Sequence, residues 1–251
     1  MTTYWTLVKE VIHRADILLE VLDARLPDET RNLELERKIT EIGKKVIFVL
    51  NKADLVPQEL LEKEKKRLQK IFPTIFVSSK LHQGTKMLRD EIMKNVKSDD
   101  QIKVGVLGYP NVGKSSIINV LKGKRSAPTS SFSGYTKGLR DVRVTSKITL
   151  VDTPGVIPFK QKEDELVLLA AKNPEKLKDV EGAALVVIKY LKRNRPDAIK
   201  RYAGENEIPN DIEEILQLIG KKKNFLMKGG FVDTNRTATT LLRDWQKGTI
   251  R

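Results

Sequence analysis

The chain has 251 residues, enough for one domain of typical size and a small appendage, and 39% hydrophobic content supports a buried core. The absence of cysteine excludes disulfide frameworks and cysteine metal sites, and two histidines cannot build a histidine metal cluster. A net charge of +14 favours polyanionic partners such as RNA, DNA or an anionic membrane face, while no apolar run approaches the roughly 20 residues that would span a bilayer.

Met1–Trp5 lacks the basic-then-apolar layout of a signal peptide, so the expectation is a cytoplasmic protein. His13 falls in a helical stretch and is expected to be structural. The first predicted strand, Ile17–Leu22, is followed by Asp23–Pro27, which read DARLP. A helical pattern covers 33–42, and a second strand, Val46–Leu50, runs directly into Asn51, Lys52, Ala53 and Asp54. A helix over 58–71 leads to a third strand, Ile75–Val77, which ends at Ser78, Ser79 and Lys80. Another helix over 86–96 precedes a fourth strand, Val104–Leu107. That strand ends at Gly108–Ser115, which read GYPNVGKS and open a helix over 115–121. Val142–Val144 and Ile148–Val151 are close enough to pair as a hairpin, and the second ends at Asp152–Gly155, DTPG. Strands alternating with helices predict an α/β fold with a mostly parallel sheet covered on both faces. Each motif follows the C-terminal end of a strand, where ligands of doubly wound sheets bind.

Beyond Pro158 the pattern becomes helical, over 163–172, 183–192, 197–202, 211–219 and 237–246, with Asn210-Asp211 supplying a helix N-cap and Gly220 a C-cap. The domains are expected to be 1–165, carrying the motifs, and 166–251, a small all-α domain.

GYPNVGKS is a GxxxxGK[ST] phosphate loop in its required context, strand before and helix after. Backbone amides of Asn111, Val112, Gly113, Lys114, Ser115 and Ser116 would cradle phosphates at a helix N-terminus, with Lys114 reaching the β- and γ-phosphates and Ser115 binding Mg²⁺. Asp152 is placed to hold a magnesium-bound water and the Gly155 amide to sense the γ-phosphate. Thr136, in Gly134–Lys137, is the expected second hydroxyl on Mg²⁺, although Thr129, Ser130, Ser131 and Ser133 lie nearby. Lys114, Thr136 and Gly155 are thus the residues expected to act in hydrolysis.

NKAD selects the base. The Asp54 carboxylate can accept from the N1 and N2 donors of guanine, which adenine does not offer in that arrangement. Asn51 can tie neighbouring loops together, the Lys52 stem can lie over the ring, and Ser78, Ser79 and Lys80 can support the base through backbone contacts. The expected ligands are therefore GTP and GDP with Mg²⁺. Val156 follows the DxxG glycine, where a glutamine orients the attacking water in many signalling GTPases. An apolar side chain cannot do this, so slow intrinsic hydrolysis is expected.

Basic residues cluster at both sides of this chemistry. Lys122 to Lys147 holds seven against Asp141, and Lys221 to Arg251 holds eight against Asp233 and Asp244. Lys221, Lys222 and Lys223 read either as a solvated turn or as phosphate contacts. Trp5 and Trp245 read as packing residues.

The order NKAD, SSK, GYPNVGKSS, GYTK, DTPG is the reverse of an ordinary GTPase, in which the phosphate loop precedes the guanine motif. With the early DARLP and the late Phe225–Gly230 (FLMKGG) and Leu242–Gly248 (LRDWQKG), the chain resembles the circularly permuted GTPases of the YlqF type, with the bacterial ribosome biogenesis GTPase A family nearest. The resemblance covers nearly the whole chain. It implies a circularly permuted P-loop GTPase domain, a C-terminal RNA-binding domain, and assembly of the large ribosomal subunit through ribosomal RNA, as a monomer. It also implies a potassium ion at Asn111. The family's N-terminal Gly-His-Met motif is absent, and His13 sits too close to the first strand to replace it. Two other readings stand beside this one: a GTP-dependent binding module whose hydrolysis is incidental, and a metabolic or membrane-associated P-loop enzyme such as a kinase, where NKAD argues against a kinase and the lack of an apolar anchor against membrane insertion.

Overall fold

The computed structural model describes residues 4–96, 101–123, 140–152, 167–168 and 173–250. The described chain begins with helix α1 (Tyr4–Arg14), whose Val8, Val11 and Ile12 are buried at helical spacing. Strand β1 (Ile17–Asp23) is buried at every residue. It pairs in parallel on one side with β2 (Lys45–Asn51) and on the other with β4 (Ile102–Leu107). Strand β3 (Thr74–Val77) extends the sheet beyond β2. On the far side β6 (Ile148–Asp152) pairs in parallel with β4, and β5 (Arg140–Arg143) pairs antiparallel with β6. The order is β3-β2-β1-β4-β6-β5. The predicted parallel α/β sheet and the hairpin at its edge are present.

Strands β1, β2 and β6 run one residue past their apolar segments because Asp23, Asn51 and Asp152 continue the ladder, while β3, β4 and β5 begin one or two residues before theirs. Asp23 pairs in register with Asn51, and Asn51 with Val77. Helices α2 (Leu33–Ile42), α3 (Gln58–Leu68), α4 (Thr85–Asn95) and α5 (Lys114–Lys122) follow β1, β2, β3 and β4. Asn32 caps α2 by accepting from the Leu35 amide at 3.0 Å. Val8, Val11 and Ile12 share one core cluster with Leu18, Leu22, Leu35, Ile39 and Phe48. Gly105 in β4 lets α1 approach: a Cβ there would stand 2.6 Å from Leu18 Cδ2 and 2.8 Å from Val11 Cγ1.

The chain divides into two compact units, 1–160 and 161–251. In the second, helices α6 (Val180–Asn194), α7 (Pro196–Ala203), α8 (Ile212–Lys222) and α9 (Thr234–Lys247) pack around Val187, Ile188, Leu191, Ile199, Ile215, Ile219, Leu241 and Trp245. Aspartates 179, 211 and 233 each cap the following helix through a first-turn amide. Trp245 is a packing residue as expected: it is fully buried and its indole N–H donates to the Leu168 carbonyl at 2.9 Å.

Two expectations change. Gly220 is not a C-cap but an interior residue of α8, where a Cβ would stand 2.2 Å from Val232 Cγ1. It is a small residue required by packing, and the helix continues for two more residues before Lys223 caps it. Lys222 and Lys223 have structural partners. Lys222 Nζ donates to the carbonyls of Arg201 and Tyr202 at 2.9 and 3.1 Å. Lys223 Nζ pairs with Asp244 at 3.3 Å and lies 4.6 Å from the Tyr202 ring centroid. Of the helix predicted over 163–172 the structure describes only residues 167–168, which are helical, and the Trp5 side chain lies outside what it describes.

Candidate nucleotide-binding site

The C-terminal ends of β1, β2, β3, β4 and β6 lie along one edge of the sheet, a consequence of their parallel pairing. This edge collects the sequence motifs. Between β4 and α5 the chain makes a tight loop from Gly108 to Gly113. Gly108 has φ +138°, and a Cβ on it would lie 2.5 Å from the Val21 carbonyl oxygen. Gly113 has φ +98°, and a Cβ on it would lie 2.1 Å from Asn51 Nδ2. Both positions require glycine for backbone conformation and for close approach. Asn111 occupies the left-handed region at φ +61°, which asparagine tolerates better than most residues.

Gly113 is the N-cap of α5, so no side-chain capping bond closes the helix's first turn. A helix start of this kind directs backbone N–H groups and the positive dipole end at whatever sits over the loop. Lys114 is buried, and its Nζ donates to the carbonyls of Gly108 and Tyr109 at 2.8 and 2.6 Å. Ser115 is exposed and Ser116 half-buried at the next two positions. The loop is therefore shaped around bare backbone with one ammonium folded over it, a donor set suited to phosphate.

Asn51 joins this loop to the guanine motifs. It is 1% exposed; its Nδ2 donates to the Val112 carbonyl at 2.8 Å and its Oδ1 accepts from the Ser79 amide at 3.3 Å. One amide thus links two later segments of the chain, 28 and 61 residues on. Lys52 has φ +62°. Asp54 lies in a short 3₁₀ turn, Ala53–Leu55, and its Oδ1 accepts from Ser78 Oγ at 2.7 Å. Ser78 Oγ also accepts from the Leu81 amide at 3.1 Å, and Ser78 exchanges backbone hydrogen bonds with Gln83 at 3.1 and 3.0 Å. This turn fixes Ser79 beside Asn51. Lys80 is exposed in it.

Direct contacts therefore connect Asn51, Asp54, Ser78, Ser79, Val112 and Gly113, and Lys114, Ser115 and Ser116 follow on α5. Asp152 ends β6 in register with Val106, but its side chain lies outside what the structure describes. Thr136, Gly155 and Val156 lie outside the described residues. His13 is exposed on α1.

Sequence reasoning assigned no chemistry to Asp23 and Arg25. Both are 4% exposed. Asp23 Oδ1 accepts from the Arg25 amide and Nε at 3.0 and 2.9 Å; its Oδ2 accepts from Arg25 Nη2 at 2.7 Å and Lys52 Nζ at 2.8 Å. Burial by itself would raise the Asp23 carboxyl. The charges and hydrogen bonds of Lys52 and Arg25 outweigh it and hold the group well below the usual carboxylate range. The Lys52 ammonium is shifted down by burial, against the pull of Asp23. An aspartate at the end of a buried strand with an arginine two residues on was the available signal.

The family described as RsgA GTPase matches residues 16–161, and the family described as 50S ribosome-binding GTPase matches residues 103–227. Ribosome biogenesis GTPase A of Bacillus cereus is 31% identical over 264 residues, covering 97% of this chain and 86% of that protein. The chain belongs to the circularly permuted YlqF-type GTPases. An uncharacterized GTP-binding protein of Methanocaldococcus jannaschii is 47% identical over 97% of this chain, and GTPase grn1 of Schizosaccharomyces pombe is 35% identical over 96%. This YlqF-type chain spans only 65% and 59% of those two proteins' lengths. The crystal structure of GNP-bound YlqF from T. maritima has the same fold, with a TM-score of 0.66 and 24% identity over 96% of this chain and 92% of that one.

Proposed function

We propose that this chain is a GTP-binding and GTP-hydrolysing switch protein that acts in assembly of the large ribosomal subunit. The observation that carries the nucleotide reading is Asn51, whose amide bonds Val112 of the phosphate loop at 2.8 Å and Ser79 of the guanine-side loop at 3.3 Å. It makes one site from motifs in reversed chain order. In this reading the 108–115 loop and Lys114 hold the phosphates, Asp54 reads guanine, and Ser78 orients Asp54. The glycine cradle and uncapped helix start fit a nucleotide polyphosphate. The exposed Ser115 hydroxyl at the start of α5 suits Mg²⁺, with Thr136 and Asp152 as its further protein partners. Bound Mg²⁺ would offset phosphate charge. Asn111 at the phosphate loop is the residue proposed to hold potassium, and Gly155 the γ-phosphate sensor.

The ribosomal role is supported by the naming of the relatives. One of them is the Bacillus cereus ribosome biogenesis GTPase A, and one matching family is described as 50S ribosome-binding GTPase. The +14 charge favours a polyanionic partner. Residues 166–251 are proposed as the RNA-binding domain, working on ribosomal RNA as a monomer. In a cell without a nucleus that partner is met in the cytoplasm. No described helix is long and apolar enough to cross a membrane. With Val156 in place of glutamine, hydrolysis is proposed to be slow until an RNA or ribosomal partner completes the site.

Phosphate release from GTP, with and without large ribosomal subunits or their precursors, tests this. Slow release alone and marked stimulation by the particle is the expected result. Turnover near about 1 per second without a partner would contradict the slow-switch reading. A GTP-dependent binding module is the second reading, favoured by the better-defined binding residues; it predicts no stimulation.

A further inference from the structure

Lys52 stands between two site residues, Asn51 and Asp54, yet its ammonium points back to the end of β1. It meets Asp23 Oδ2 at 2.8 Å, and the same carboxylate is gripped by Arg25 through three N–H donors at 2.7 to 3.0 Å. All of this is inside the protein: the side chains of Arg25 and Asp23 are 1% and 6% exposed, and that of Lys52 is 19% exposed. The backbone completes the frame, because Asp23 lies opposite Asn51 in the parallel ladder and the Ala24 amide donates to the Asn51 carbonyl at 2.8 Å.

We propose that Asp23, braced by Arg25, is a positioning residue that fixes Lys52 for contact with the guanine base. The inference rests on the guanine-binding reading of this site. A lysine stem has four flexible carbons and loses rotamer freedom when it packs on a ligand. The Asp23 carboxylate holds the far end of that stem before a ligand arrives, so less freedom remains to be lost on binding. A carboxylate is required rather than an amide. Oδ1 already accepts two N–H groups from Arg25, and Oδ2 accepts from both Arg25 and Lys52. Asparagine would set an N–H₂ against one of these donor pairs.

The experiment is a double-mutant cycle on GDP binding, measured by calorimetry on the full chain with D23N, K52M and the D23N/K52M pair. Each single change is expected to weaken GDP binding about three- to tenfold. The pair is expected to bind no more weakly than K52M alone, because Asp23 acts through Lys52. T30V is the structural control. Thr30 is buried in the same loop, accepts from the Asp23 amide at 3.1 Å, and bonds the Leu26 carbonyl at 2.6 Å, with no bond to Lys52. It is expected to lower the melting temperature with little effect on GDP. If D23N does not fold, D23E takes its place in the cycle, with the same non-additivity expected. Losses that multiply in the pair, or a D23N protein with unchanged affinity, would overturn the inference while leaving the nucleotide site standing. Failure of the unaltered protein to bind GDP would overturn the functional reading and this inference with it.

Discussion

Asn51 shows how one residue decides whether the halves of the site meet. Its side-chain amide serves two backbone groups, the Val112 carbonyl and the Ser79 amide, in a position only 1% exposed. Alanine would leave both unpaired at a cost of about 1–3 kcal/mol each. Asn51→Ala is therefore expected to lower the melting temperature by several degrees and to weaken GDP at least about tenfold, in melting and titration experiments. Unchanged GDP affinity would remove Asn51 from its linking role. The proposed site residues Asp54, Lys114 and Ser115 could be singled out in the sequence because their motifs are short and local. The Asp23–Lys52 contact was not. It joins residues 29 apart, and they meet only because β1 and β2 are parallel neighbours in one particular register. Lys222 and Lys223 were open for the same reason, since their partners Arg201, Tyr202 and Asp244 come from other helices.

At the scale of elements, β1 is the central strand and carries Glu20 into the interior. Glu20 Oε1 accepts from the Asn32 amide at 2.8 Å, while buried Oε2 has no hydrogen-bond partner. Burial, then the charge of Glu36, push this carboxyl up to about 8, against the pull of the Asn32 amide and Arg31. Arg31 is itself held by Glu36 at 2.6 Å. Folding thus favours the protonated acid. Its contribution is complete below the ordinary value of 4.5 and is lost as pH rises through about 8. Glu20→Gln keeps the shape without the charge. It is expected to melt near the unaltered protein at pH 5 and to gain stability relative to it by pH 9, on the order of 1–3 kcal/mol. A gap that does not widen over that range would refute the assignment. Element types were readable from apolar runs and helical spacing, and the helix over 33–42 has its expected ends. Gly220 misled because a glycine after an apolar helical run looks the same whether it ends the helix or admits a neighbouring side chain. Only the approach of Val232 distinguishes the two.

For the whole molecule, the reversed motif order turns out to be compatible with a single continuous sheet. NKAD and SSK end β2 and β3 on one side of β1, while the phosphate loop ends β4 on the other. The strand order, not the chain order, brings them together at the point where the sheet switches direction of winding. The chain then leaves β6 at Asp152 and enters the helical unit at residue 161. The fold and the meeting of NKAD, SSK and the phosphate loop at one sheet edge could be read from the sequence because strand ends and motifs coincide. Competitive titration of the full chain with GDP and ADP tests the central claim most directly. The account predicts GDP binding at least about a hundredfold tighter, since adenine leaves the Asp54 carboxylate unmatched. Equal affinity for the two would contradict a guanine site assembled from these reversed segments.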